Sequence, residues 1–189
     1  MLSQNKENKE KKVKSKPSSS PKPKQEPFYD LSLSWDGEAD CDISALQLGQ
    51  NLSLLDGEKH NIVYYEDGFQ SSLDNSIKKG SDHRDGDEEG FDEQLRIYPT
   101  RANSKVKRVI ILASIYKGYT FKDVPKSVLT IADSNGNQLK SYDFQSEKKA
   151  IAVGYFEITD KKWTFKKLNK GFKDLETAIM HYADGIKGE

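Results

Sequence analysis

Residues 109–116 read Val109-Ile-Ile-Leu-Ala-Ser-Ile-Tyr116, an apolar run rich in β-branched side chains. The run is short for a helix and matches a central strand that is buried on both faces. Outward from it, shorter apolar runs of period two are separated by Gly, Asn and Asp, as in strands joined by turns. The sequence therefore predicts about eight strands, the others at residues 31–35, 43–48, 62–65, 128–132, 139–144, 150–158 and 163–168.

Two connections between these strands have the composition of hairpin turns. Asn135-Gly136 is the dipeptide that tolerates positive φ at both turn centres, which predicts a hairpin between residues 128–132 and 139–144. Thr159-Asp-Lys-Lys162 is an equally short connection and predicts a second hairpin.

Helical spacing is confined to the end of the chain. Phe172, Leu175, Ile179 and Tyr182 fall at i, i+3, i+7 and i+10 and form one apolar stripe, with Gly185 as its stop. A shorter helix is also compatible with residues 121–124, before a proline. Many strands and little helix predict an all-β fold, a two-sheet β-sandwich with one C-terminal helix.

The domain organisation follows from composition. The 189 residues suit one domain with a tail. Residues 1–27 hold eight Lys and three Glu, with four of the six prolines, and cannot bury enough apolar surface to fold. We therefore predict a disordered, basic tail over residues 1–27 and a mildly acidic sandwich domain over residues 28–189.

Cysteine content and hydropathy indicate the cellular compartment in which the protein is expected. Cys41 is the single cysteine, which excludes an internal disulfide and favours a reducing compartment. No apolar run follows the N-terminal lysines, and none reaches the roughly 18–20 residues of a membrane span. We expect a cytoplasmic protein without a membrane span, whose folded domain binds no nucleic acid.

The segment from Ser81 to Leu95 is the most informative for function, because seven of its fifteen residues are Asp or Glu. Such dense like charge disfavours a compact loop unless a cation neutralises it. Hard carboxylate oxygens without Cys support favour Ca²⁺ over zinc or iron. An EF-hand is excluded, because loop position 12 is Arg96 rather than Glu. Composition alone leaves a solvated acidic linker as an open alternative.

Further acidic positions lie upstream. Asp40 and Asp42 are two residues apart, so on a strand their side chains point the same way. Glu66-Asp67 follow the strand predicted at residues 62–65. The pair Lys78-Lys79 is interpreted as charge balance for the acidic loop.

Several of these elements together resemble the TerD family of tellurium-resistance proteins. The resemblance spans roughly residues 28–186, and its most specific parts are the Asp-x-Asp-x-Ser element and the long acidic loop. The residues that carry it are Trp35-Asp36, Asp40-Cys-Asp42-Ile-Ser44-Ala45, Val63-Tyr-Tyr65, Asp82 through Gln94, Tyr142-Asp143, Gly154-Tyr-Phe-Glu157, Trp163-Thr-Phe165 and Gly171-Phe172.

The resemblance implies a β-sandwich that binds Ca²⁺ through these acids and acts in stress or tellurite resistance. The positions that match the family's acids are Asp40, Asp42, Asp82, Glu89, Asp92 and Glu93. Asp87, in place of a Glu, and Asp67, an added acid, complete the predicted metal ligands. The chain departs from the family pattern at His83, Asp85, Phe91 and the Glu66-Asp67 pair. The resemblance therefore leaves the number of Ca²⁺ sites at one or two.

The sequence thus predicts a non-catalytic Ca²⁺-binding protein of stress response or metal-ion resistance that acts through unidentified protein partners. One alternative is binding of a cyclic nucleotide, since a relative in social amoebae is described as a cyclic-AMP-binding protein. The phosphate contact would then come from Arg84, Arg96, Arg101 or Arg108, none of which is privileged. A second alternative is a metal-dependent phosphoesterase, although the chain has no P-loop, dinucleotide fingerprint or nucleophile elbow.

Overall fold

A computed structural model describes residues 26–55, 61–82 and 93–183, with the side chains of residues 81 and 82 left out. It contains two antiparallel five-stranded sheets and one C-terminal helix. The elements are β1 Tyr29–Ser34, β2 Cys41–Leu48, β3 Ile62–Val63, β4 Ile77–Asp82, β5 Glu93–Ile97, β6 Arg108–Ile115, β7 Val128–Asp133, β8 Gln138–Asp143, β9 Ala150–Thr159, β10 Lys162–Phe172 and α1 Leu175–Ala183.

The strand order is β4-β5-β1-β7-β8 in one sheet and β10-β9-β6-β2-β3 in the other. The inner faces of both sheets share one apolar core, which confirms the predicted all-β sandwich. A second apolar cluster lies between the outer face of the β6-containing sheet and α1. Within the described residues, no helix is long and apolar enough to cross a membrane.

The apolar run at residues 109–116 forms β6, between β9 and β2. Val109 and Ile111 belong to the core between the sheets, whereas Ile110 and Leu112 belong to the cluster that includes residues of α1. The prediction of a central strand buried on both faces is therefore confirmed. Two strands beyond the predicted eight, β4 and β5, complete the other sheet.

Both predicted hairpins form, with different turns. β9 and β10 are joined by Asp160 and Lys161 alone, and both have positive φ, 52° and 64°. That geometry follows the right-handed twist of the strands, at a cost for residues other than glycine. Between β7 and β8 only Gly136 has positive φ, and Asp133 stabilises this longer turn by accepting hydrogen bonds from the backbone N–H groups of Asn135 and Asn137.

The predicted C-terminal helix begins later than its apolar stripe suggested. Phe172 ends β10, and Asp174 caps the helix by accepting a hydrogen bond of 2.8 Å from the backbone N–H of Thr177. Ala178 and Tyr182 are the buried residues of α1. The shorter helix considered at residues 121–124 does not form: this segment is a turn, and the proline at position 125 prevents a second helical turn.

Asp74 organises the connection between β3 and β4. Its carboxylate accepts hydrogen bonds from the hydroxyl of Ser72 at 2.7 Å and the backbone N–H of Ser76 at 3.0 Å. The backbone N–H of Asn103 at 2.8 Å and the amide of the buried Gln47 at 3.1 Å complete the set. Burial alone would raise the pKa of Asp74, but these hydrogen bonds outweigh it and lower the pKa.

Gly154 lies in β9, where β10 approaches closely. A Cβ atom at this position would lie 2.5 Å from the backbone oxygen of Lys166 and 2.5 Å from the Phe165 ring. Only a residue without a side chain fits that approach.

Candidate cation site

A buried lysine joins two carboxylates where β4 ends and where β2 and β5 begin. Lys79 Nζ lies 3.0 Å from Asp42 Oδ1 and 3.0 Å from Glu93 Oε2. The exposed fractions of the three side chains are 1% for Lys79, 9% for Asp42 and 0% for Glu93. We call these three residues the Lys79 triad. It links the two sheets, because Asp42 belongs to one sheet and Lys79 and Glu93 to the other.

Strand alternation explains why Lys79 points inward. Ile77 lies in the core between the sheets, and Lys79, two residues later on β4, faces the same way. Glu93 and Leu95 likewise share one face of β5, and Leu95 is a core residue. Lys79 and Glu93 therefore lie at the rim of the core, and Asp42, whose neighbours Cys41 and Ile43 are core residues, meets them from the opposite face of β2.

The short β3 leaves room for the triad beside β2. β3 is two residues long and pairs with Ala45 and Leu46, beyond the start of β2. At the start of β2, Glu93 Oε2 accepts a hydrogen bond of 3.4 Å from the backbone N–H of Ile43. A buried backbone donor at a strand edge is thus satisfied by a carboxylate.

The triad keeps its lysine charged. Burial alone would lower the pKa of Lys79, but the charges and hydrogen bonds of Glu93 and Asp42 outweigh burial and raise it. The charge of Asp42 also acts on a tyrosine. Burial first, and then the charges of Glu66 and Asp42, raise the pKa of Tyr65.

Four of the eight predicted metal ligands lie at this end of the fold. Asp42 and Glu93 meet through Lys79, and Asp82 is the register partner of Glu93, so the acidic segment 83–92 begins and ends at the triad. Asp40 directly precedes β2, and its backbone carbonyl accepts a hydrogen bond from the N–H of Tyr116.

The other four predicted ligands stand apart or lie beyond the description. Asp67 is exposed in the connection between β3 and β4. Asp87, Glu89 and Asp92 lie outside the described residues. Within the described ranges, no three His, Cys, Asp or Glu side chains converge as a metal centre.

Comparison with known proteins identifies the family of this chain. Residues 25–182 match the family model for the TerD domain. The chain belongs to the TerD family. It is 25% identical over 156 residues to the tellurium resistance protein TerD of Serratia marcescens, a match that covers 75% of this chain and 79% of that protein.

Two solved structures share the fold of this TerD chain. A crystal structure of a protein of unknown function aligns with a TM-score of 0.67 at 24% identity, covering 82% of this chain and 96% of the other. A homologue of the telluride resistance protein TerD from Streptomyces coelicolor aligns with a TM-score of 0.65 at 21% identity, covering 84% and 96%. At these identities the likeness supports the sandwich fold alone.

The two carboxylates of the Lys79 triad are donors of the kind that suits the Ca²⁺ predicted from the sequence. Ca²⁺ takes roughly six to eight oxygen ligands at about 2.3–2.6 Å. Asp42 and Glu93 offer hard carboxylate oxygens that already converge on one positive charge. Two carboxylates cannot complete such a site, so the remaining ligands would come from Asp40, Asp82 and segment 83–92.

The arginines considered for a cyclic-nucleotide pocket are engaged elsewhere. Arg96 contacts Asp30 at 3.4 Å, Arg108 contacts Glu157 at 3.3 Å, and Arg101 pairs with Glu26. A phosphate at any of the three would have to compete with a carboxylate. The fourth candidate, Arg84, lies outside the described residues.

Lys79 is the site residue that sequence reasoning did not single out. The interpretation of Lys78-Lys79 as general charge balance treated the two lysines alike. Their positions in β4 separate them, because Lys79 follows Ile77 on the inward face and Lys78 points the other way. An inward lysine next to acidic segments was the signal that could have identified the triad.

Proposed function

We propose that this chain is a non-catalytic, Ca²⁺-binding TerD-domain protein that acts in stress response or in tellurium or other metal-ion resistance. One observation carries the proposal. Two buried carboxylates from different sheets, Asp42 and Glu93, converge on a single positive charge at the point where the acidic segment 83–92 begins and ends.

Electrostatics gives the cation its role. Residues 82–93 contain seven Asp or Glu side chains and one Arg. Lys79 compensates one negative charge, and a divalent ion would compensate two more. The ligands would be Asp40, Asp42, Asp82, Asp87, Glu89, Asp92 and Glu93, without Asp67, which is exposed in the connection between β3 and β4.

Binding would be coupled to order and to recognition. An ion held by ligands from β2, β4, β5 and their connection stabilises the folded state by mass action. It would also fix the acidic surface presented to a protein partner. The name of the Serratia relative connects that role with tellurium resistance.

The proposal of a non-catalytic role rests on how the described groups are used. Asp42 and Glu93 are both tied to an ammonium rather than poised as a general base. Cys41 is buried. His181 packs against Phe172, with a ring distance of 5.2 Å, in the cluster that includes α1.

A Ca²⁺ titration of the full chain tests the proposal. We expect heat in calorimetry, a rise in melting temperature, and shifts of amide resonances that include Ile43, whose N–H contacts Glu93. The double variant Asp87→Asn/Asp92→Asn should lose most of this response. Asp160→Asn, which removes one carboxylate from the distant β9–β10 turn, is the matched control and should retain it. Absence of heat and of thermal stabilisation at millimolar Ca²⁺ would refute the proposal.

A further inference from the structure

The Lys79 triad has a consequence for cation binding that concerns its lysine. Lys79 Nζ occupies a position 3.0 Å from an oxygen of each carboxylate, so those two oxygens lie at most about 6 Å apart. Two oxygens bound to one Ca²⁺ are at most about 5 Å apart, given bonds of about 2.3–2.6 Å. The carboxylate pair thus needs to close only slightly to hold Ca²⁺ where the ammonium now lies.

We propose that Lys79 is a built-in cation that occupies the Asp42–Glu93 carboxylate pair and competes with a divalent ion for it. The inference rests on the proposed function and specifies how the same site is regulated. The ammonium and a divalent ion cannot share the position, because both are positive and both need the same two oxygens. Lys79 therefore lowers Ca²⁺ affinity and offsets one of the pair's two negative charges while Ca²⁺ is absent.

The local backbone suits a side chain that must leave when the ion arrives. The backbone of β4 is anchored as far as Lys79, whose N–H donates a hydrogen bond of 2.8 Å to the carbonyl of Gln70, while β5 pairs with β4 on the other side. The β4–β5 pairing shifts register immediately after Lys79. Irregularities of this kind bend a strand and redirect its side chains. The next residue is Gly80, whose Cβ position would lie 2.8 Å from Cβ of Gln94.

Ile43 supplies a local reporter of which cation holds the pair. Its backbone N–H donates to Glu93 Oε2, the same oxygen that contacts Lys79 Nζ. A divalent ion that takes this oxygen changes the shift of the Ile43 amide. An ion held only by other acids leaves that amide close to its starting position.

The experiment compares Ca²⁺ binding by the full chain and three variants, followed by calorimetry and by amide shifts. Lys79→Met removes the charge at similar length, and Lys79→Gln removes it while keeping a hydrogen-bond donor. Lys78→Met is the matched control, because it removes the same charge from the opposite face of the same strand. We expect both Lys79 variants to bind Ca²⁺ about tenfold more tightly or better, with a larger shift of Ile43, and Lys78→Met to match the wild type.

The outcomes separate this inference from the proposed function. If the wild type binds Ca²⁺ and the Lys79 variants bind it equally well, the inference is wrong and the proposed function stands. If neither the wild type nor any variant binds Ca²⁺, the proposed function itself is wrong. Binding by the wild type, together with much tighter binding by both Lys79 variants, would be the strongest support for competition.

A folding defect is also informative. Once the ammonium is removed, the two carboxylates repel each other and destabilise the folded state. A Lys79 variant that is unfolded in the absence of Ca²⁺ therefore still tests the inference. Competition predicts that Ca²⁺ replaces the missing charge and refolds the variant, which far-ultraviolet circular dichroism measures. Variants that stay unfolded at every Ca²⁺ concentration contradict the inference.

Discussion

Replacing Lys79 by methionine in the presence of a chelator tests the structural role of the triad. The carboxylate oxygens that Lys79 bridges are at most about 6 Å apart. At an effective dielectric constant of about 20, two unit charges at that distance repel by about 3 kcal/mol. Removing one partner from a buried ion pair costs about 3–5 kcal/mol in other proteins, which agrees with this value. We expect Lys79→Met to lower the free energy of unfolding by that amount.

The assay is urea unfolding in EDTA, followed by tryptophan fluorescence. The buried Trp35 provides a reporter in the core. For a domain of this size, each kcal/mol of lost stability lowers the melting temperature by about 2–4 °C. The melting temperature of Lys79→Met should therefore be about 6–20 °C below that of the wild type. Lys78→Met should stay within about 0.5 kcal/mol of the wild type, because Lys78 lies on the other face.

A neutral version of the triad separates charge from packing. The triple variant Asp42→Asn/Lys79→Met/Glu93→Gln removes all three charges and leaves the shapes similar. Replacing a complete buried ion pair is often close to neutral in stability, so this variant should regain most of the loss. The reasoning is refuted if Lys79→Met costs less than about 1 kcal/mol, or if the triple variant is as unstable as the single one.

Three further predictions concern the scaffold. Lys161→Gly should raise the free energy of unfolding by about 0.5–1 kcal/mol in urea titrations, because Lys161 has positive φ, and a decrease would contradict that strain. Gly154→Ala should cost about 1–3 kcal/mol or more by thermal unfolding, since its Cβ would overlap backbone, whereas Gly171→Ala, which meets only flexible side chains, should cost less. Asp74→Asn should cost about 1–3 kcal/mol at pH 7. The folded-state pKa of Asp74 is lowered from 3.8, so the stabilisation that its charge gives the wild type is lost as pH falls through that lowered value. The two proteins should then have similar free energies of unfolding, and a difference that stays constant with pH would argue against a charged Asp74.

The sequence predicted the parts of the fold that short-range patterns specify. The central strand β6, both hairpins and the C-terminal helix follow from runs and turns of a few residues. β4 escaped the prediction because Ile77 is its only apolar residue, and its next inward position is Lys79. Apolar alternation cannot identify a strand whose inward face is completed by a charged side chain.

The sequence could identify acidic residues of the site, but not which of them contact each other. Asp42 and Glu93 were both identified as candidate ligands from acidic patterns and family resemblance. Their meeting depends on packing of two sheets, across a separation of about fifty residues, which local patterns do not encode. Alternation indicates the face on which Lys79 lies, but only the packed sandwich gives its 3.0 Å contacts with both acids.

The triad changes what the acidic segment requires of an external ion. Charge repulsion was the original reason to expect Ca²⁺, and part of that repulsion is relieved from within, since Lys79 neutralises one charge and the Ile43 N–H contacts Glu93. One ammonium cannot balance the seven acids of residues 82–93, against which the segment itself provides only Arg84. The internal cation therefore secures the sandwich where the two sheets meet, while the excess charge is concentrated in the connection that leaves and re-enters at the triad. A divalent ion would bind first among the acids of that connection. It would bind the Asp42–Glu93 pair only if it can displace Lys79.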